Sequence, residues 1–452
     1  MRPVRRPAAP PPRPRTRTRT AEPPRPGFEA RRLAFAIVAE VLGTGISLDE
    51  ALARASGPDP DPLARAIAVT TFRRLGTIGA ALHARMAQGL GPDERTFALL
   101  ATGAAQILFL DVPDHSAVDL AVEIARRDPK LGHLAGLANA VLRRISRERV
   151  SVLEGAGPAI GDAPPWLAAR WSAAYGKAGA EAIAAAHRLG AGVDVTVRND
   201  PAGWADRLGG VLLPTGSVRL PERTPVAELP GYGDGAWWVQ DAAAALPARM
   251  LAAGPGERAL DMCAAPGGKT AQLAAGGADV TALDRSATRL RRLEANMRRL
   301  RLLPTVVCAD ALGFEAEPFD AVLLDAPCTA TGTIRRHPDV AWTKTDADLA
   351  SLTDLQRRLL DRAAGFVRPG GRLVYCVCSL EPEEGPDQAD DFLRRHPEFR
   401  RDPVDPAAFG LPSDLVNGNG DLRTRPDGFG DLPGVRPGLD GFFAARLSRG
   451  PA

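Results

Sequence analysis

Cysteine is scarce in this chain and unevenly placed. Five thiols occur in 452 residues, and all of them (Cys263, Cys308, Cys328, Cys376 and Cys378) lie between positions 263 and 378. None forms a C-x-x-C pair and no histidine cluster accompanies them, so neither zinc nor another metal is expected. An odd number of thiols without a secretory signal points to reduced cysteines in a cytoplasmic protein. Long apolar runs are also lacking: none approaches the roughly 18 residues of a membrane-spanning helix. The formal net charge is only +3. Its distribution is lopsided, with eight arginines (2, 5, 6, 13, 15, 17, 19, 25) against one acid, Glu22, in residues 1–25. That imbalance suits a polyanion better than a membrane surface.

What the chain does have is length and apolar content: 45% of its residues are hydrophobic, enough for roughly two to four domains. Residues 1–26, rich in Pro, Arg and Thr, cannot offset the entropy of folding and are read as a disordered basic tail. Such a tail either adds salt-sensitive affinity for RNA or is simply solvated. Residues 27–150 turn helical. In ARRLAFAIVAEVL (30–42) the apolar positions Leu33, Ile37, Val38 and Val41 share one helix face. Further runs, broken by Gly-Pro and Asp-Pro turns, predict an all-α bundle of about six or seven helices. LANAVLRRISRE (137–148) closes it with an apolar face and a basic one of Arg143, Arg144 and Arg147. Residues 151–235 mix a short helical piece (163–176), a strand-like VDVTVRND (193–200) and Gly/Pro turns, a small α+β linker subdomain. Asp241, after Gln240, reads as a helix N-cap.

Residues 236–452 alternate strands and helices in the manner of an α/β, Rossmann-like doubly wound sheet. ERALDMCAAPGGKT (257–270) is strand, glycine-rich turn and helix start, an arrangement that cradles an anion or a cofactor carboxylate. DVTALDRS (279–286) ends a second strand at Asp284, suited to ribose hydroxyls, and TVVCAD (305–310) ends a third at Asp310, suited to an adenine edge. AVLLDAPCTATG (321–332) runs without alternation, as a strand buried on both faces does, then delivers Asp325 and Cys328 into a Thr/Gly loop. GGRLVYCVCSLEPEE (370–384) is a fifth strand carrying Cys376 and Cys378. In open sheets such strand ends carry ligands and chemistry, so the fourth and fifth are expected to face one pocket. Cys308 and Cys376 read as structural thiols.

CAAPGGKT nearly matches a phosphate loop, but Cys263 stands where its first glycine belongs. Acids at successive strand ends would repel a triphosphate. They suit S-adenosyl-L-methionine, with its sulfonium, ribose and adenine. The residues alone leave open which of Cys328 and Cys378 attacks a substrate.

DMCAAPGGKT, LLDAPCTATGTIRRHPDVAW, LVYCVCSLEPEE and the terminal LDGFFAARL (439–447) resemble the NOL1/NOP2/Sun family of RNA (cytosine-C5) methyltransferases. VPDHSAVDLAVEIAR (112–126) and LANAVLRR (137–144) resemble the NusB-like RNA-binding fold. Together they resemble the branch of the family that acts on small-subunit (16S) ribosomal RNA. The resemblance implies that Cys263, Ala264, Ala265, Pro266, Gly267, Gly268, Lys269, Asp284, Asp310 and Asp325 bind or line S-adenosyl-L-methionine. It implies Cys378 as nucleophile and Cys328 as the thiol that assists product release. Val377, Gly385 and Ala341 depart from the family's usual Thr, Asn and Lys.

Cytosine C5 becomes nucleophilic when a thiolate adds to C6. Free thiol has a pKa near about 8.5, so the attacker needs help. Asp325, kept protonated in a dry site, is the expected partner of N3. Arg335 and Arg336, with His337 fixing their loop, are expected to anchor RNA beside a base drawn out of its stack. The partner is therefore RNA, free or in early assembly intermediates, without DNA or membrane, and the chain is expected to act as a monomer. A tRNA cytosine-C5 methyltransferase and a non-catalytic RNA-binding or antitermination factor are the alternatives.

Overall fold

The computed structural model describes residues 25–56, 61–86, 93–221, 225–430 and 432–451. The basic tail expected over 1–26 therefore lies almost wholly outside the described residues. Among the described residues, seven α-helices follow one another from Phe28–Thr44 to Ala135–Arg147, and a short eighth, Arg149–Glu154, extends the expected bundle. Helix Glu94–Phe109 is its centre: every residue from Ala98 to Leu108 is buried, as a helix wrapped by others must be. Asp93 caps it, accepting from the Thr96 N–H at 3.1 Å. Helix Ala135–Arg147 buries Ala138, Val141, Leu142 and Ile145 and turns Arg143, Arg144 and Arg147 outward. Arg144 pairs with Glu148 at 2.8 Å, and Arg143 lies 3.6 Å from Asp119.

The helical piece expected to end at 176 instead continues to Leu189. Pro165–Leu189 bends at Gly176 (φ 71°, ψ 165°) and resumes, because the alanine-rich sequence beyond that glycine is strongly helix-forming. Next comes a four-stranded antiparallel sheet in the order β2-β3-β1-β4. Its strands are β1 (Asp194–Val197), β2 (Val211–Leu212), β3 (Val218–Arg219) and β4 (Trp237–Val239).

The large sheet begins with β5 (Arg258–Met262), β6 (Asp279–Asp284), β7 (Thr305–Cys308), β8 (Phe319–Asp325) and β9 (Val367–Val377). These five pair in parallel, in the order β9-β8-β5-β6-β7. Three further strands, β10 (Phe399–Arg401), β11 (Leu422–Thr424) and β12 (Phe442–Arg449), add an antiparallel edge, with β12 beside β9. The sheet is thus mixed rather than purely parallel. Val322 and Leu324 of β8 join one core and Ala321 and Leu323 the other, all 0% exposed, the two-faced burial that an unalternating apolar run foretells. Helices Gly268–Ala275, Ala287–Leu300 and Asp346–Phe366 supply crossovers. Strand order reverses between β5 and β8, and the crevice beyond their carboxyl ends is the switch point of such a sheet.

The helical bundle docks onto the loop after β8. Leu48 N–H donates to Asp339 Oδ2 at 2.9 Å, Arg73 Nη2 to Arg335 O at 2.9 Å and Trp342 Nε1 to Phe72 O at 3.0 Å.

Candidate functional site

Two backbone hydrogen bonds draw the loop after β8 onto the end of β9. Ala326 N–H donates to Cys376 O and Gly332 N–H to Cys378 O, both at 3.0 Å. Between them Cys328 Sγ and Cys378 Sγ approach to 3.5 Å. Contact with Cys378 and burial push the Cys328 thiol well above its usual range, and either sulfur of the pair can donate to the other. Cys376 is fully buried, donating to Asp325 Oδ1 at 3.5 Å across the β8–β9 register.

Asp325 Oδ2 accepts from Lys269 Nζ at 2.7 Å. Burial alone would lower the Lys269 ammonium; Asp325, together with Cys376 and Asp261, outweighs it and drives the group upward. The ammonium also lies 5.0 Å over the Phe442 ring. Asp325 therefore sits at salt-bridge distance from a lysine, where the sequence led one to expect a carboxyl alone in a dry site. Lys269, three residues past Pro266 of the cis Ala265–Pro266 turn, supplies the counter-charge. Asp261, at the end of β5, is fully buried; burial pushes it up to about 7.

A cavity opens from this point along the strand ends. Cys263, Asp284, Asp310, Asp325, Cys328 and Cys378 line it, with Leu283, Leu355 and Leu359 as apolar walls. Asp284 accepts from Ala265 N–H at 3.1 Å and Ser286 N–H at 2.9 Å, which fixes its carboxylate at the rim. Burial pushes the Cys263 thiol up to about 12, and its φ of 61° puts its backbone in the left-handed region. The glycine-rich loop does not face this cavity as one piece. Ala264, Ala265, Pro266, Gly268 and Lys269 line a second, neighbouring cleft. Gly267 (φ 101°) turns inward instead: a Cβ there would sit 2.7 Å from Leu293.

The second cleft meets the first at Arg289, Asp325, Ala330 and Cys378, and carries Arg292, Arg299, Arg336 and His337. Arg335 does not reach it. Its side chain is 0% exposed, 3.3 Å from both Asp241 and Asp440, so it cannot anchor a phosphate. A buried guanidinium persists only where carboxylates pair it. Asp241 is accordingly more than a cap: burial and the neighbouring Asp440 push it up to about 6. Arg336 turns Nε to Asp440 at 2.7 Å while lining the cleft. His337 does fix its loop, with Nδ1 3.3 Å from Asp49. Cys308, expected inside, is exposed, because it ends the edge strand β7.

Sequence reasoning missed the polar brace behind the thiols. Glu384 accepts from Thr329 N–H at 2.8 Å and from Gln356 Nε2 at 3.0 Å. Glu381 accepts from Trp171 Nε1 at 3.2 Å and Arg170 Nε at 2.5 Å, tying helix Pro165–Leu189 to the loop after β9. Acids directly following a two-cysteine strand were the available signal.

The profile of the 16S rRNA methyltransferase RsmB/F family matches residues 248–448, and that of the NusB family matches residues 29–147. Ribosomal RNA small subunit methyltransferase B of Vibrio cholerae is 35% identical over 446 residues, covering 93% of this chain and 98% of that protein. The protein of the same name from Xylella fastidiosa is 39% identical over 447 residues, with 93% and 98% coverage. The solved structure of PH0851 superposes with a TM-score of 0.74 at 25% identity, covering 93% of this chain and 99% of that one. With identity at this level over nearly the whole length, the chain belongs to the 16S rRNA methyltransferase RsmB/F family, whose cofactor is S-adenosyl-L-methionine, and carries a NusB-family domain in front.

Proposed function

We propose that this protein methylates C5 of one cytosine in 16S ribosomal RNA through a covalent adduct between Cys378 and C6. The observation that carries the reading is the 3.5 Å approach of Cys328 and Cys378 beside Asp325, where two cavities meet. Carboxylates at three strand ends and apolar walls at Leu355 and Leu359 fit a ligand that combines a sulfonium, a ribose and an adenine. S-adenosyl-L-methionine supplies an electrophilic methyl group when bound. Asp284 is the group for the ribose hydroxyls, Asp310 for the adenine, and Cys263 lines the same wall. The second cleft takes the RNA strand, with Arg292 and Arg336 near its phosphates.

Cys378 is the sulfur that adds to C6 as thiolate, with Cys328 as its partner 3.5 Å away. Asp325 faces the N3–C4 edge of the base and carries the proton given to N3 as C6 is attacked, while Lys269 behind it holds the carboxyl in place. Release then needs the C5 proton to leave to water or a base. Its electron pair closes the C5–C6 double bond, and the C6–S pair returns to Cys378. Cys328 enables that elimination. Residues 27–150 dock the RNA, residues 151–235 link, and residues 236–452 carry the chemistry, in a monomer acting on free RNA or an early assembly intermediate.

Purified variants test this with labelled methyl donor and unmodified small-subunit RNA. Cys378→Ala is expected to abolish methyl transfer and to form no adduct. Cys328→Ala is expected to accumulate a protein–RNA adduct seen as a slow band on a denaturing gel. Exchanged outcomes would sink the assignment of the two thiols.

A further inference from the structure

Two buried side chains that line neither cavity grip the peptide groups on either side of Cys328: Glu384 and Gln356, both 0% exposed. We infer that they are the positioning residues of the release step, holding Cys328 where it can let the product go from Cys378. The inference rests on the reading of Cys378 as attacker and Cys328 as releasing thiol.

Gln356 Nε2 donates to Pro327 O at 2.9 Å, the carbonyl just before Cys328, and to Glu384 Oε1 at 3.0 Å. The same Oε1 accepts from Thr329 N–H at 2.8 Å, just after Cys328, and the Thr329 hydroxyl donates to Oε2. Glu384 is itself tied to the nucleophile strand, since the Tyr375 hydroxyl donates to Glu384 O at 2.5 Å. Tyr375 and Cys378 lie on one stretch of chain, so the brace sets the Cys328 loop against the segment that carries the attacking sulfur.

The chemistry of the brace is that of an orienting device. Among the described residues no arginine or lysine pairs with Glu384, and a carboxylate stripped of water without a cation is costly. An apolar side chain would fill the same space at less cost. What a carboxylate adds is direction, because three donors from Gln356 and Thr329 converge on its two oxygens. A shift of Cys328 by a fraction of an ångström changes its distance to a sulfur only 3.5 Å away. Attack by Cys378 does not need Cys328, whereas elimination does, so loosening the brace is felt in release.

The test uses the full chain, unmodified small-subunit ribosomal RNA and labelled methyl donor, and reads adduct formation and product release separately. Glu384→Gln keeps shape but turns an amide NH2 toward existing donors. Gln356→Met keeps length and removes the donors. Both are expected to form adduct at close to the parental rate and to release it roughly tenfold or more slowly, within the ~10²-fold that misplacing a group costs. The adduct band then rises toward that of Cys328→Ala. A merely structural role lowers formation and release together, without adduct. That outcome in both variants, with Cys328→Ala still trapping adduct, overturns the positioning role. If Cys328→Ala traps nothing, the assignment of the releasing thiol falls, and the positioning role with it.

Discussion

Asp261 sits at the carboxyl end of β5 with one oxygen accepting the Thr270 hydroxyl at 2.6 Å and the other unpartnered. Burial raises its folded pKa from 3.8 to about 7. Because the folded value lies above the unfolded one, the folded state keeps a proton that the unfolded chain has lost between those two values. Its contribution to stability therefore falls as pH rises from 3.8 toward 7, and the buried charge stays unfavourable above that. Asp261→Asn removes the titration while an amide oxygen still accepts from Thr270. The difference in melting temperature, variant minus parent, is expected to climb between about pH 4 and pH 7 in thermal unfolding and to level off above that; a flat difference would contradict the raised value. The residues of this region were readable as types: a carboxyl, a thiol and a lysine on a strand–turn–helix segment. Their states of charge were not, because the Lys269–Asp325 pair joins positions 56 apart in sequence.

The loop after β8 and the start of β12 meet backbone to backbone. Gly332 N–H donates to Cys378 O and Gly441 N–H to Gly332 O at 2.8 Å. A Cβ on Gly332 would lie 1.9 Å from Gly441 O, a backbone atom with no freedom to give way. Gly332→Ala is expected to destabilise the protein by about 1–3 kcal/mol or more, the range for overpacking, read as a lower urea midpoint, and to reduce methyl transfer because the same loop carries Cys328. Unchanged stability would mean that the loop tolerates separation from β12. Individual strands were legible in their apolar runs, β8 most clearly. The antiparallel insertion of β12 beside β9 was not, since FFAARL fits any half-buried strand and says nothing of which neighbour it joins.

Across the whole molecule, the C-terminal segment is locked to the loop after β8 by charge. Asp440, 0% exposed, accepts from Arg336 Nε at 2.7 Å and Arg335 Nε at 3.3 Å. Burial alone would raise its carboxyl, but Arg336 and Arg335 outweigh that and hold it low. Removing one partner strands a buried cation, so Asp440→Ala is expected to cost about 3–5 kcal/mol in chemical unfolding. A loss below about 1 kcal/mol would mean that Arg335 finds water or another partner. The same loop seats the helical bundle through Asp339, Arg335 and Trp342, so this one segment joins front domain, sheet and C-terminus. The order of strands and helices, the buried strand before Asp325 and the family itself followed from sequence, because apolar periodicity and short motifs are local properties of the chain. The pairing of Lys269 with Asp325, the withdrawal of Arg335 into the core, the inward turn of Gly267 and the brace of Glu384 and Gln356 were decided only by the tertiary structure. Each depends on which distant segments share a small volume, and burial there dictates which polar groups must find partners.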